Sequence, residues 1–466
     1  MARLLDLPNE ILLIICSFLN HMVLKDELQA LCLTSKLLYS IAQPFLYTRF
    51  EQEARCQCCN SRGILPGHLV AMVRLVRTLI ERPDLAARVQ SATIDTSGND
   101  GDDDHVRKAD FDADTLKTLA AGFQQLPTDK AQLFMETVEM RSNPYLLLLA
   151  SRMSNLEHLE LVLGDEGLDD LAPLFTPCSE DVMIEQPYLR NLKSVVIRDM
   201  MLTECDSMMN LDAVMELPQL ENFTLIGLNG DAEGCPLFDF EPGTLNISTL
   251  TLAAACLDAE TLTQIVAGCK ELKVFKYFGS NFDGNTMNES IQFDPSELVS
   301  ILASQQENIV TLFCNLDWEV IDPTNWSRCS KYGSFASFTK LMHLEIDQYP
   351  YTPKQELPPS IHCLHIKNIS FPIIDVVGSL NMRTIDLPEH ELHDELPNFS
   401  ILTLVPRDDI PNGMLDVPAR YDHTDEDLKT MGEFDFACET LWDIAKECRF
   451  SVRVEHDVWA RFHGYF

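Results

Sequence analysis

The chain has 466 residues, of which 46% are apolar and 23% charged, so it can bury a large core and is not disordered as a whole. Its 35 basic residues against 72 acidic ones give a formal net charge of −37, a field that repels nucleic acids and anionic membranes. We therefore expect no nucleic-acid or membrane partner, and a target protein that is neutral or basic.

The fifteen cysteines are scattered at irregular intervals through a long chain, which favours free thiols over a secreted disulfide framework. The apolar stretch from Ile11 to Leu19 has acidic flanks and no small-residue cleavage site, so it is not predicted to be a signal peptide. No apolar run reaches the ~18 residues that a membrane span needs. These features predict a protein of the cytoplasm, the nucleus or both.

The first fifty residues predict three short helices. Asp6, Pro8 and Glu10 form a helix start, and the apolar residues that follow cover more than half of the helix circumference. A second helix is predicted from Lys25 to Leu33 and a third from Ser35 to Ala42. So small a unit cannot bury all of this apolar surface, which indicates a partner protein.

A set of apolar, proline and polar residues recurs through this segment at particular spacings: Leu7-Pro8-x-Glu10-Ile11-Leu12, Ile15, Leu19, Leu28-x-x-Leu31-x-Leu33-x-Ser35-Lys36 and Pro44-x-Leu46-Tyr47. These residues resemble a known family, the F-box, in the form abundant in filamentous fungi. The resemblance covers residues 3 to about 48, with Leu38 standing where many F-boxes have tryptophan. It implies binding to a Skp-type adaptor, and through it to a cullin-RING ubiquitin ligase.

By this resemblance, seven apolar residues would face the adaptor. The alternative is an ordinary N-terminal helical hairpin that packs on the remainder of the chain. The seven residues are Leu7, Pro8, Ile11, Leu12, Ile15, Leu31 and Leu33.

From residue 90 onward, a pattern of apolar, two variable, apolar, variable, apolar residues recurs. A weaker copy precedes the others at 89–94, and a strand near 133–140 could supply a copy missing from the long gap after it. Helix-like stretches lie between copies, so each unit reads as a strand followed by a helix or loop. The ten copies are 156–161, 192–197, 220–225, 247–252, 272–277, 309–314, 341–346, 361–366, 382–387 and 399–404.

This pattern resembles an irregular leucine-rich repeat that lacks the usual asparagine after most strands. The resemblance implies an α/β fold in which stacked units form a curved solenoid with a parallel sheet on its concave side. The chain then divides into an F-box at 1–50, a linker and connecting helix at 51–88, the solenoid at 89–433 and a C-terminal cap and tail at 434–466. A helix at 434–445 and a strand at 450–454 would form the cap.

Two clusters have metal-like spacing, but neither predicts a metal site. Cys56, Cys58, Cys59 and His68 lack the second cysteine pair that usually closes a zinc tetrahedron, so a thiol-rich linker is favoured. The histidines in residues 390–395 lie three apart between prolines, which favours a solvated loop.

No phosphate-binding glycine loop, nucleophile elbow or zinc-protease helix is found. We expect no metal, no cofactor and no enzymatic activity.

Strand alternation sends the variable residues of each copy to the face opposite the core. Phe313 is the sharpest candidate for a recognition anchor on that face, with Lys276, His343, Glu345 and His365 around it.

The predicted function is a substrate-recognition subunit of a Skp-cullin-F-box ubiquitin ligase. The alternative is a leucine-rich-repeat scaffold with no role in ubiquitin transfer.

Overall fold

The computed structural model divides into two compact units, an N-terminal unit of residues 1–227 and a C-terminal unit of residues 228–466. Among the helices described, none is long and apolar enough to cross a membrane. The residues described are 7–22, 24–51, 66–95, 113–123, 143–163, 175, 189–199, 211–230, 238, 240–279, 293–316, 330–347, 350–352, 355–369, 380, 396–406 and 450–454.

The N-terminal unit begins with three helices, α1 (Asn9–His21), α2 (Lys25–Thr34) and α3 (Lys36–Leu46). Their predicted positions are confirmed. The Ser35 side chain caps α3 by accepting a hydrogen bond from the Leu38 amide at 3.1 Å. The helix α3 continues through Pro44 beyond its predicted end at Ala42, because Phe45 and Leu46 pack against the helical core. The buried residues of that core are Leu12, Cys16, Leu28, Leu38, Ile41 and Ala42.

Five parallel strands of the N-terminal unit are hydrogen-bonded in sequence order, β1-β2-β3-β4-β5. Their bounds are β1 (Arg49–Glu51), β2 (Ser91–Asp95), β3 (His158–Leu163), β4 (Ser194–Asp199) and β5 (Asn222–Ile226). Helices α4 (Pro66–Glu81), α5 (Pro83–Ala86), α6 (Ala113–Phe123), α7 (Asn143–Arg152) and α8 (Leu211–Met215) lie between them in the chain.

The strand β1, which the repeat pattern does not predict, joins the three helices to this sheet. It begins three residues after α3 ends and pairs in parallel with β2. The Thr48 carbonyl accepts the amides of Gln90 at 2.9 Å and Ser91 at 3.1 Å, and Lys25 of α2 forms an ion pair with Glu51 at 3.1 Å. Backbone hydrogen bonds therefore hold the helices at the edge of the sheet.

The C-terminal unit has the same arrangement, with parallel strands in the order β6-β7-β8-β9-β10-β11-β12-β13. Helices α9 (Ala259–Gly268) and α10 (Leu298–Ile301) lie between strands, and short 3-10 turns flank α10 at Pro295–Glu297 and Ala303–Gln305. The strands are β6 (Asn229–Gly230), β7 (Thr249–Leu257), β8 (Val274–Gly279), β9 (Thr311–Asn315), β10 (His343–Asp347), β11 (Cys363–Ile369), β12 (Ile401–Pro406) and β13 (Ser451–Val454).

The predicted alternation is confirmed in β8 and β9, whereas four successive residues of β10, Leu344 to Asp347, are buried. Phe275 and Tyr277 of β8, and Leu312 and Cys314 of β9, are buried while their strand neighbours are half-buried. The cap strand predicted at 450–454 is present as β13, and the cap helix predicted at 434–445 lies outside the described residues.

Backbone groups at the strand starts are satisfied by a shared acceptor. At most junctions, one carbonyl before a strand accepts two successive amides from the next strand, as Lys273 does from Val310 at 2.8 Å and Thr311 at 3.0 Å. In addition, amide side chains cross between successive turns: Asn155 donates to the Ala87 carbonyl and Asn398 to the Pro359 carbonyl. These bonds pair backbone carbonyls of one turn with a side chain of the next.

Two predicted copies, at 133–140 and 382–387, lie outside the described residues. Among the described strands, β2 pairs directly with β3 and β11 pairs directly with β12.

A bulge in β7 is held by a buried phenol. The register of β7 and β8 shifts between Ala253 and Ala255, and Ala254 between them has a φ of 46°, in the left-handed region. The Tyr277 hydroxyl donates to the Ala255 carbonyl at 3.1 Å and accepts from the Leu257 amide at 3.2 Å. Burial raises the pKa of Tyr277, so its hydroxyl stays protonated and able to donate.

Replacing the phenol tests this role. Tyr277→Phe leaves a buried carbonyl and a buried amide without their partner, and we expect a loss of about 1–3 kcal/mol in the free energy of unfolding of the C-terminal unit. Urea unfolding measures the loss. Tyr39→Phe, which removes an exposed hydroxyl from α3, is the control and should change stability by less than about 0.5 kcal/mol. Equal stability of both variants would show that the hydroxyl does not hold the bulge.

Candidate functional site

The first candidate surface is the outer side of α1. Ile11, Ile14, Phe18 and Met22 follow one another at spacings of three or four residues, which places them on one side of the helix. All four are exposed, Ile14 by 63% and Phe18 by 60%. We call these four residues the α1 stripe. A continuous row of large exposed apolar side chains is typical of a protein-binding surface.

A second group of exposed apolar residues lies on α2 and α3. Leu33 is 88% exposed, and Leu37 and Tyr39 are also exposed. Leu33 is near the end of α2, and Leu37 follows the Ser35 cap at the start of α3. The junction of the two helices therefore presents apolar side chains in addition to the α1 stripe.

The seven residues predicted to face an adaptor differ widely in exposure. Pro8, Ile11 and Leu33 are exposed, whereas Leu7, Ile15 and Leu31 are half-buried. Leu7 and Leu31 pack against the helical core.

Leu12 differs from the other six, because its side chain is 1% exposed in the centre of the helical core. Ile14 and Phe18 belong to the apolar stretch that was predicted to leave an exposed strip, but they and Met22 were not among the seven residues predicted to face an adaptor. Their helical spacing from Ile11 could have identified them, because Leu12 and Cys16 mark the opposite, buried side of α1.

The second candidate surface is a recess in the C-terminal unit, on the face of the sheet opposite the core. The parallel register places Lys276, Phe313, Glu345 and His365 on four successive strands in one row. The recess has a volume of about 450 Å³. Its lining residues are Val274, Lys276, Thr311, Phe313, His343, Leu344, Glu345 and His365, which include all five predicted recognition residues.

Within the recess, Lys276 lies over the ring of Phe313. The ammonium nitrogen is 5.1 Å from the ring centroid, and both side chains are half-buried. A cation over an aromatic face gains about 0.5–2 kcal/mol, depending on how far it is desolvated. This contact holds the charge of Lys276 at a fixed place on the sheet.

Glu345 does not have the exposure that was predicted for it. Its side chain is 6% exposed, and one carboxylate oxygen forms an ion pair with the Lys367 ammonium while the other lies 3.8 Å from His365 Nδ1. Lys367 also lies over the ring of Phe278 at 5.6 Å. Lys367 was not among the predicted recognition residues. It lies two residues beyond His365 on β11 and therefore on the same face of the sheet. Glu345 therefore positions Lys367 and His365, and little of its side chain is exposed to a partner.

His343, which lines the recess, is held by contact with the neighbouring His362. The rings of His343 and His362 meet edge to face with centroids 6.4 Å apart. His362 Nδ1 lies 2.9 Å from the Asn398 carbonyl oxygen. The wall of the recess on β10 therefore has a set geometry.

The described residues contain no cluster of three or more histidine, cysteine or acidic side chains that could hold a metal ion. Residues 56–59 and 390–395, which carry the metal-like spacings, lie outside the described residues. The described cysteines are free thiols, and burial raises the pKa of Cys269 to about 12. A thiol so far from ionisation is a poor nucleophile and metal ligand.

Comparison with known protein families finds a match in the N-terminal helical segment. Residues 4–53 match the model of the F-box-like family, which covers the three helices, β1 and the α1 stripe. F-box domains generally bind Skp-type adaptors. A search among curated proteins finds no match.

The ion pair of Glu345 generates a prediction about stability. Lys367→Met leaves a nearly buried carboxylate with His365 alone, and we expect the strands β10 and β11 to lose about 1–3 kcal/mol in opening free energy. Native-state hydrogen exchange of these strands measures that free energy.

The double variant Lys367→Met with Glu345→Gln removes both charges and should recover part of the loss. Lys270→Met, at an exposed lysine outside the recess, is the matched control and should change little. If Lys367→Met exchanges at the same rate as Lys270→Met, the ion pair does not stabilise this part of the sheet.

Proposed function

We propose that this chain is the substrate-recognition subunit of a Skp-cullin-F-box ubiquitin ligase. In this proposal the helices α1 to α3 bind a Skp-type adaptor, and the recess binds the protein that is to receive ubiquitin. The F-box-like match at residues 4–53 supports the adaptor role, and the exposed α1 stripe is the observation that carries it. The chain then contributes proximity, and the attached ligase contributes the chemistry.

The adaptor surface in this proposal combines the α1 stripe with Pro8, Leu33 and Leu37. Full burial of a side chain such as isoleucine or phenylalanine contributes about 1.5–3 kcal/mol, so two or three such anchors supply much of a micromolar affinity. Leu12 contributes indirectly, because it packs the core that holds α1 against α3. The adaptor therefore binds the outer side of α1, because the inner side of α1 is packed in the helical core.

The repeated units are, in this proposal, irregular leucine-rich repeats. Three observations support that assignment: one parallel strand per unit, strand order that follows the sequence within each unit of the molecule, and buried apolar residues at the second and third positions of the repeat. The amide side chains that cross between turns, as Asn155 and Asn398 do, take the place of the usual asparagines. A rigid parallel sheet suits recognition because its side chains keep fixed spacings.

The mechanism in this proposal is an increase in effective concentration. A target held in the recess keeps its lysines near the ubiquitin carrier that the cullin brings, which converts a bimolecular encounter into a local one. Within the N-terminal unit, the pairing of β1 with β2 ties the helices to the sheet by backbone hydrogen bonds.

The adaptor surface can be tested by a double substitution in the α1 stripe. Ile14→Ser with Phe18→Ser removes two exposed apolar anchors, and we expect affinity for a coexpressed Skp-type adaptor to fall by about 100-fold or more. Isothermal titration calorimetry with purified adaptor measures the change. Because both side chains are exposed, the stability of the chain should change by less than about 0.5 kcal/mol.

The matched control is Met342→Ser, which removes a 43% exposed apolar side chain far from the F-box-like segment in sequence. It should bind the adaptor as the unchanged chain does. Unaltered adaptor affinity in the double variant would contradict the proposed surface. Failure of the unchanged chain to bind any Skp-type adaptor would favour an interaction scaffold without a role in ubiquitin transfer.

A further inference from the structure

The recess differs in charge from the chain that contains it. The charged side chains of its lining are Lys276 and Glu345, and Lys367 and Asp347 lie beside Glu345 on β11 and β10. Lys367 and Glu345 form an ion pair, which leaves the charge of Lys276 uncompensated. The chain as a whole has a net charge of −37. The net charge of the chain therefore does not indicate the positive group that lies in this recess.

Lys276 has no carboxylate within ion-pair distance among the described residues. In contrast, Lys25, Lys193 and Lys367 each pair with a glutamate. The contact that positions Lys276 is the ring of Phe313, and its strand neighbour on β7 is the neutral Thr251. The ammonium is thus held by an aromatic ring while its charge remains available to a ligand.

The walls around Lys276 are partly apolar. Val274 and Phe313 line the same recess as the ammonium. A ligand that fits this composition carries a negative group beside an apolar one. A basic ligand would bring a second cation to a site whose positive charge is uncompensated, which costs binding energy.

We propose that the recess binds an acidic peptide segment of the target, with an aspartate or glutamate carboxylate on the Lys276 ammonium and a neighbouring apolar side chain against Val274 and Phe313. This inference rests on the proposed function of the recess as the target-binding surface. It differs from the expectation of a neutral or basic target, which was based on the net charge of the whole chain.

The net charge does not prevent such binding, because the Debye length is about 8 Å at physiological ionic strength and distant exposed acids are screened. A carboxylate fits better than a phosphate. Phosphate is usually recognised by clustered arginines that bind it in a bidentate manner, and no arginine is among the residues that line the recess.

The test uses the full-length chain and four fluorescent nonapeptide libraries. Each library fixes a phenylalanine, and the residue before it is glutamate, glutamine, phosphoserine or lysine. Fluorescence anisotropy should show that the glutamate library binds at least about tenfold more tightly than the glutamine library, as expected for one charge-assisted hydrogen bond. Preference for lysine or phosphoserine, or no binding of the glutamate library, would overturn the proposal.

Substitutions at Lys276 identify the site. Lys276→Met keeps the aliphatic stem but removes the charge, and it should weaken binding of the glutamate library by about tenfold, whereas Lys276→Arg should retain binding. Lys276→Glu should transfer the preference to the lysine library. Lys340→Met, at an exposed lysine outside the recess lining, is the matched control and should bind normally. Equal binding by Lys276→Met and Lys340→Met would show that the recess is not the site.

Failure of this proposal is distinguishable from failure of the proposed function. Peptide binding requires neither adaptor nor ubiquitin, and adaptor binding is measured on the same preparation. A chain that binds the adaptor but no acidic peptide would refute only the inference about the recess. A chain that binds the peptide through Lys276 but no adaptor would refute only the ligase role.

Discussion

The shared carbonyl at the start of the strands is the interaction on which the rest of the structure depends. When one carbonyl accepts two successive amides from the next strand, it fixes where that strand begins relative to its neighbour. Registers set in this way align residues from strands distant in sequence, so that Lys276, Phe313 and Glu345 meet in one row. The Thr48 carbonyl makes the same pair of bonds and thereby fixes the helical unit to the first sheet.

Much of this fold could be predicted from the sequence because the apolar period of two survives in nearly every strand. The pairs Phe275 with Tyr277 and Leu312 with Cys314 are buried as alternation requires. The short strand β1 could not be predicted, because three residues give no period and its position depends on hydrogen bonds to β2. The copies predicted at 133–140 and 382–387 lie outside the described residues.

The candidate sites could be predicted only in part, and the errors have a common physical origin. The resemblance to a family identified α1, but it did not separate the inner side of the helix from the outer, so Leu12 was included and Phe18 was not. On the sheet, alternation identified the correct face for Glu345. It could not show that Lys367 and His365 would cover that carboxylate, because their approach depends on packing across strands.

The two candidate surfaces differ in chemistry and therefore in the partners they suit. The α1 stripe is apolar and continuous, which favours a permanent partner that buries it. The recess combines one uncompensated ammonium with apolar walls, which favours a shorter and more selective contact. The most direct measurement is hydrogen exchange of the full-length chain alone and saturated with a Skp-type adaptor. Exchange should slow in α1 and remain unchanged in β8 to β11, whereas unchanged exchange in α1 within a complex that does form would contradict the adaptor surface proposed here.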